Sequence, residues 1–438
     1  MSRQKKTITL KTTQSITLFP FGRTRMVVDV FNALLERSSL FVNREVLRPT
    51  YMPDVLPHRE REITALAEIF LPALKGDSPS NVFIYGKTGT GKTAVVKHVG
   101  NQLIKKGREM NHNVNFIYIN CEVVDTHYRL LQNIANHFIE RWSERIPFTG
   151  LPTDEVYTRL KELIDGKKGV TIVALDEIDK LKGDEALYTL SRINGELTEA
   201  KLSLVGISND LKFTEFLDPR VKSSLGEENM VFYPYNAQEL KDILEHRAKL
   251  ALKPDALTDS VIPLCAALAA QEHGDARRAL DLLRISAELA EREHAEKITD
   301  RHVRRALHKI ELDRVAEVIK TLPLHSKILL LAIVRQDKEK KNAGLKATLT
   351  TGEVYDTYMR LCRKIKVESL TQRRVGDLLS ELDMLGIITA RVISKGRYGR
   401  TREIQLSAST TEIIRIFQED DTVKPLILLR GRGQTKLI

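Results

Sequence analysis

The sequence has few cysteines, and the three it has, Cys121, Cys265 and Cys362, lie far apart. A disulfide framework and a zinc knuckle both need close-set pairs, so neither is expected, and the chain suits a reducing compartment. Long apolar runs are missing too. Nothing approaches the roughly 18 residues that a membrane-spanning helix needs. The longest candidates, 261–270 and 328–334, are too short. The start of the chain carries no apolar signal-peptide core. There are no repeats and no low-complexity tracts. These absences set the expectation of a soluble, cytoplasmic protein with no membrane partner. What is present is ordinary globular composition: 42% apolar and 29% charged residues, with 23 Gly and 14 Pro. That excludes a disordered, collagenous or fibrous chain. A length of 438 residues argues for two to four domains.

The net charge of +11 is unevenly placed. Residues 1–50 hold nine Lys and Arg against three Asp and Glu, and residues 311–438 hold 24 against 16. The middle, 51–310, holds 36 against 39. Two basic ends flank a near-neutral centre. Such a balance suits a polyanion, nucleic acid before membrane, because no basic amphipathic helix of membrane type accompanies it.

Five short runs rich in β-branched and aromatic residues, 81–85, 115–120, 171–175, 202–207 and 229–233, are mostly separated by helical stretches. This is the pattern of a parallel sheet covered by helices. From 236 to about 311 the strands stop and the apolar spacing is helical. A third region opens with helices and closes on 386–394 and 401–406, which read as a two-stranded hairpin. The expected organisation is a basic arm over 1–50 with some helix at 27–36, an α/β base over 51–235, a helical domain over 236–311, a helix-and-hairpin domain over 312–427 and a basic tail over 428–438.

The clearest motif is Gly86-Lys87-Thr88-Gly89-Thr90-Gly91-Lys92-Thr93, directly after the strand 81–85 and before a helical run. It fits G-x-x-x-x-G-K-[ST] in the strand–loop–helix setting the motif requires. Its glycines let the backbone wrap a phosphate with its N–H groups inward, and the following helix N-terminus adds partial positive charge. ATP or ADP is expected on Gly89, Thr90, Gly91, Lys92, Thr93 and Ala94, with Lys92 on the β- and γ-phosphates and Thr93 on Mg²⁺. The strand 171–175 ends in Asp176-Glu177. Asp176 is expected to hold Mg²⁺ through water, and Glu177 to orient the attacking water.

Near the other end, Thr371-Gln372-Arg373-Arg374 opens a helix whose apolar positions, Val375, Leu378, Leu379, Leu382 and Leu385, fall on one face. Thr371 suits an N-cap and Gly386 a stop. Asp377, Glu381 and Asp383 would repel phosphate along the helix, so base contacts are expected from the first turn. The hairpin follows, with Lys395-Gly-Arg397-Tyr398-Gly-Arg400 at its tip. A helix followed by a hairpin with a basic tip is a winged-helix layout. Arg397 and Arg400 suit phosphates or a narrow groove, and Tyr398 adds an apolar contact.

The run Asp176-Glu177-Ile178-Asp179 resembles the Walker B segment of AAA+ ATPases. Ser208-Asn209-Asp210 resembles their sensor 1, which makes Asn209 the residue facing the γ-phosphate. Gly274-Asp275-Ala276-Arg277 resembles sensor 2, with Arg277 reaching the phosphates from the lid. More closely, the chain resembles the archaeal origin-recognition and helicase-loader initiator family. Leu56-Pro57-His58-Arg59-Glu60 is similar to its entry segment beside the adenine, and Tyr233-Pro234-Tyr235-Asn236-Ala237, followed by Arg247, to its second nucleotide-contacting stretch. The likeness covers about residues 50–427. It implies an α/β AAA+ P-loop domain with a helical lid and a C-terminal winged helix. The implied protein is a slow ATPase that binds double-stranded origin DNA in the ATP state and recruits or loads the replicative helicase. It would be nucleoid-associated and could assemble with further copies of itself on DNA. A nucleotide-switched transcription regulator is the alternative reading. Where eukaryotic relatives place an Arg before Leu-Gly, this chain has Ser224, which leaves Arg220 as the candidate arginine finger. The resemblance also implies a DNA-touching insertion at 125–145, whereas its own residues (Leu130, Leu131, Ile134, Ala135, Phe138) read as a packing helix.

Overall fold

The computed structural model describes residues 39–215, 217–225, 227–344, 348–394 and 400–428. The helix expected at 27–36, the hairpin tip 395–399 and the tail beyond 428 lie outside the described residues.

Each of the five expected runs is a strand: β1 (Asn81–Gly86), β2 (Val114–Asn120), β3 (Gly169–Asp176), β4 (Ala200–Ser208) and β5 (Glu227–Phe232). They form one parallel sheet in the order β2-β3-β4-β1-β5. The central strands β1, β3 and β4 are buried along nearly their whole length, because helices cover both faces and no alternation is needed. The helices of this base are α1 (Glu60–Phe70), α2 (Lys92–Glu109), α3 (His127–His137), α4 (Thr153–Lys167), α5 (Glu185–Arg192) and α6 (Pro219–Leu225). On one face Leu66, Phe70, Val95 and Val96 of α1 and α2 pack on Val82, Ile84, Ile172 and Ala174. On the other, α3, α4 and α5 bring Leu130, Leu131, Ile134, Leu160 and Leu187 onto Phe83, Ile117, Val173 and Leu175. The helix inside 125–145 therefore spends its apolar face on the core, and the segment after it exposes Trp142, with the Arg145 guanidinium stacked 5.2 Å from its ring.

Four helices make the lid: α7 (Ala237–Ala251), α8 (Val261–Gln271), α9 (Ala276–Arg292) and α10 (Asp300–Thr321). A capping box starts α7. Asn236 accepts from the amides of Gln238 and Glu239, and Glu239 accepts from the amide of Asn236. Such a cap stabilises a helix by about 1 kcal/mol. Part of the expected basic arm belongs to this lid. Leu40, Phe41, Val46 and Leu47 are buried among Leu240, Leu244 and Leu283, and the Val42 amide donates to Ala251 O at 2.8 Å. These apolar residues follow neither helical nor strand spacing, so only the packed lid reveals their role.

The helix α10 runs unbroken across residues 311 and 312 into the third region. There follow α11 (Leu324–Asn342), β6 (Leu349–Thr350), α12 (Thr351–Lys364), α13 (Gln372–Met384), β7 (Ile388–Ser394), β8 (Arg400–Leu406), α14 (Thr410–Gln418) and α15 (Lys424–Leu428). The apolar run 328–334 is buried on every side of α11, which explains why it shows no periodicity. The hairpin gains a third strand, in the order β6-β8-β7. Two residues of β6 are too few to show a strand pattern. Gly386 ends the α13 turn at φ +72°, as its position suggested. No helix among the described residues is long and apolar enough to cross a membrane. The architecture is a parallel α/β base, a helical lid and a winged-helix layout at the C-terminal side.

Candidate functional site

The order of the sheet places β1 between β4 and β5, so the strand connections reverse direction at its C-terminal edge, where ligand crevices form in open α/β sheets. The loop 86–91 leaves β1 at that edge and turns into α2. Gly86, Gly89 and Gly91 all take positive φ. A Cβ on Gly91 would lie 2.7 Å from Tyr235 Oη, and one on Gly89 only 1.7 Å from Asp275 Oδ1. The loop thus needs glycine twice over, for its backbone and for the close approach of the lid.

A cavity of about 520 Å³ opens above this loop, within the range of small-ligand sites. Gly89, Thr90, Gly91, Lys92, Thr93, Ala94, Asp176, Glu177, Asn209, Tyr235, Arg247 and Arg277 all line it. Lys92 Nζ donates to Gly86 O, Lys87 O and Asn209 Oδ1 at 2.7, 2.8 and 2.9 Å. Burial lowers its pKa to about 8, and neighbouring Arg277 adds to the effect while Asp176 opposes it. Thr93 Oγ1 donates to Asp176 Oδ2 at 2.7 Å, so a hydroxyl and a carboxylate meet at the cavity floor. That donor set, hard oxygens only, suits Mg²⁺. Glu177 follows in the left-handed region at φ +54°. Burial raises its carboxyl pKa, and the negative charges of Glu122, Asp176 and Asp179 raise it further.

Above the cavity, the segment 49–57 crosses from the lid to the base and forms its apolar wall, with Tyr51, Met52 and Leu56. Arg247, 4% exposed, braces this segment: its guanidinium donates to Arg48 O and stacks 4.7 Å from the Tyr51 ring. Burial lowers its pKa to about 10. The lid meets the phosphate loop directly, since Asp275 caps α9 and the Ala276 amide donates to Gly89 O at 3.1 Å.

Two expected residues stand elsewhere. Arg59 does not line the cavity. It is buried beneath it, where Nε donates to Thr90 O at 2.9 Å, Nη2 to Tyr233 O at 2.7 Å and the guanidinium lies 3.9 Å from the Tyr235 ring. It ties the phosphate loop to the start of the lid. Arg220, its side chain 81% exposed, sits on α6 away from the cavity and pairs with Asp218 through both Nε and Nη2. Sequence reading missed Lys97, Tyr118, Asn120, Glu122 and His246, which all line the cavity. Lys97 could have been found, because it stands four residues after Thr93 on the same helix face. The others depend on strand register and on lid packing.

On the winged helix, Thr371 Oγ1 accepts from the Arg374 amide, and Thr371, Gln372, Arg373 and Arg374 are all exposed on the first turn of α13. Arg374 lies 3.6 Å from Asp377. Arg402 is not free: it donates to Gly376 O and Ser380 Oγ and fastens the hairpin to α13. Lys395, Arg397 and Tyr398 lie outside the described residues, and only the backbone of Arg400, paired with Ser394, is described.

Comparison with known proteins gives three adjoining family matches. They are an AAA ATPase domain over residues 55–205, a Cdc6 AAA+ ATPase-type lid domain over 241–308 and a CDC6 C-terminal winged helix domain over 317–416. An ORC1-type DNA replication protein of Pyrococcus abyssi is 57% identical over 414 residues, covering 93% of this chain and 97% of the relative. One from Methanosarcina mazei is 56% identical over 403 residues, covering 91% and 95%. The structure of the Aeropyrum pernix ORC1 protein in complex with DNA is 48% identical with a TM-score of 0.72, covering 89% of this chain and all of that one. The Cdc6p structure from Pyrobaculum aerophilum, at 24% identity and a TM-score of 0.54, covers 87% of this chain and all of its own, and shares the fold.

Proposed function

This chain belongs to the family of ORC1-type DNA replication proteins and Cdc6, and on that premise we propose that it is an ATP-switched initiator that binds origin DNA and recruits or loads the replicative helicase. The observation that carries this reading is mechanical continuity. Arg277 of the lid lines the nucleotide cavity, and α10 runs on from the lid into the winged helix without a break. A change at the phosphates therefore has a rigid route to the DNA-binding face.

In this reading Lys92 holds the β- and γ-phosphates, Asn209 faces the γ-phosphate from just past the end of β4, and Arg277 reaches it from α9. Mg²⁺, when bound, neutralises phosphate charge, and Thr93 and Asp176 are the residues that hold it. Glu177 orients the attacking water, and its raised pKa suits a group that must take up a proton. Arg59 positions the phosphate loop from beneath, through its bond to Thr90 O. Hydrolysis is slow and resets the switch. Arg220 would serve a neighbouring copy by exchanging its exposed pair with Asp218 for the neighbour's phosphates, when copies assemble on DNA. On the DNA side Gln372, Arg373 and Arg374 meet the bases and phosphates, the basic hairpin follows the adjacent groove, and the exposed Trp142 segment gives a further contact. The protein works at the nucleoid.

Genome-wide DNA occupancy tests the reading. One sharp peak at an origin is the expected result, and peaks spread over many promoters would favour the transcription regulator instead. In vitro, Lys92→Ala is expected to lose nucleotide binding and Glu177→Gln to trap ATP. Equal ATP affinity in Lys92→Ala and wild type would overturn the assignment.

A further inference from the structure

We infer that Tyr118 is a positioning residue that fixes the Asp176 carboxylate for the metal ion, and that Lys97 holds the Tyr118 ring in place for that task. The inference rests on the reading of Thr93 and Asp176 as the metal-holding pair.

Asp176 is 7% exposed, and both of its carboxylate oxygens are engaged. Oδ1 accepts from the Glu177 amide at 3.0 Å. Oδ2 accepts two hydroxyls, Thr93 Oγ1 and Tyr118 Oη, each at 2.7 Å. Hydrogen bonds to a carboxylate are short and strong, so two of them on one oxygen fix where that oxygen sits. The donors come from different elements. Thr93 stands on the first turn of α2, while Tyr118 stands on β2, paired with Ala174 of β3, two residues before Asp176. Tyr118, Ala174 and Asp176 share the sheet face that α2 covers, and the phenol reaches along that face to the end of β3.

Lys97 closes the arrangement. It follows Thr93 by four residues, hence on the same side of α2. Its Nζ lies 3.6 Å from the centroid of the Tyr118 ring, a cation–π contact that covers the ring from above. Thr93, Lys97, Tyr118 and Asp176 all border the same cavity. Thr93 must share its oxygen between the cation and Asp176. Tyr118 has no such second task, so its hydroxyl is the constant donor on Oδ2. Ring packing alone does not require that hydroxyl, since a phenylalanine would fill the same space.

The test is the coupling between Mg²⁺ and ADP binding in the full chain. ADP affinity is measured by calorimetry in EDTA and in graded Mg²⁺ for wild type, Tyr118→Phe and Asp176→Asn. The readout is the ratio of the two affinities and the Mg²⁺ concentration at half effect. Tyr118→Phe is expected to raise that concentration on the order of tenfold, as loss of a partner behind a metal ligand does. A merely structural role would lower both affinities together and leave the ratio and the midpoint unchanged, and that result would overturn the inference. If wild-type ADP affinity itself shows no Mg²⁺ dependence, the metal-site reading falls and the inference falls with it. Those two failures are told apart by the wild-type curve and by Asp176→Asn.

Discussion

Nucleotide affinity should titrate with Lys92. Its pKa lies at about 8 where an ordinary lysine has 10.5, chiefly because the cavity floor buries it. A bound phosphate brings opposite charge into contact with the ammonium and restores its protonation. Affinity then follows the protonated fraction of the free protein, falls about fivefold from about pH 8 to about pH 9 and approaches a tenfold loss per pH unit beyond that. Between about pH 7.5 and about pH 9.5 this amounts to roughly a 25-fold loss for ADP, whose own last phosphate proton leaves near pH 6 and so lies below the window. Binding at about pH 8 should take up about half a proton. Calorimetry in two buffers of different ionisation heat measures both quantities. Folding stability runs the other way. The folded protein binds fewer protons than the unfolded chain between about 8 and 10.5, so the nucleotide-free protein gains stability as pH rises through that window. Lys92→Arg should bind more weakly but with a flat profile, because guanidinium stays charged throughout. A flat wild-type profile with no proton uptake would refute the argument.

Three further outcomes are expected. Gly89→Ala drives a Cβ into the Asp275 carboxylate at 1.7 Å and should weaken ADP binding, and Asp275→Gly should recover part of that loss at the cost of the α9 cap. A double-mutant cycle on ADP affinity checks it: coupling below about 0.5 kcal/mol would mean that the lid and the phosphate loop act independently. Arg373→Ala should cost about 1–3 kcal/mol of preference for the specific duplex over a scrambled one; a uniform loss on both duplexes would assign the side chain to phosphates. In the winged helix, burial would raise the Asp420 carboxyl, but Lys327 at 2.8 Å and the donors of Thr422 more than offset it and bring its pKa to about 2. The stability this contributes should be complete above about pH 4 and disappear as pH falls toward about 2, and acid denaturation of Asp420→Asn should lack that step.

The sequence alone determined what depends on local chemistry. The phosphate loop was legible because wrapping a phosphate demands glycines, a lysine and a hydroxyl at fixed spacing, whatever the surrounding fold. The five strands were legible because a sheet covered on both faces needs continuous apolar runs. The first turn of α13 was legible because an N-cap and one apolar face suffice to define a helix. Tertiary structure decided what depends on distance. Arg59 lies in the segment that resembles the family's entry stretch, yet its guanidinium is engaged by Thr90 O, Tyr233 O and the Tyr235 ring, beneath the cavity and outside its lining. Leu40, Phe41, Val46 and Leu47 looked like part of a basic arm because they lack periodicity, and only the lid core gives them partners. Tyr118 carries no motif at all. Its place beside Asp176 follows from the β2–β3 register and from the position of Lys97 one helical turn beyond Thr93, and pairing of that kind is set when the chain packs, between residues that lie about sixty positions apart.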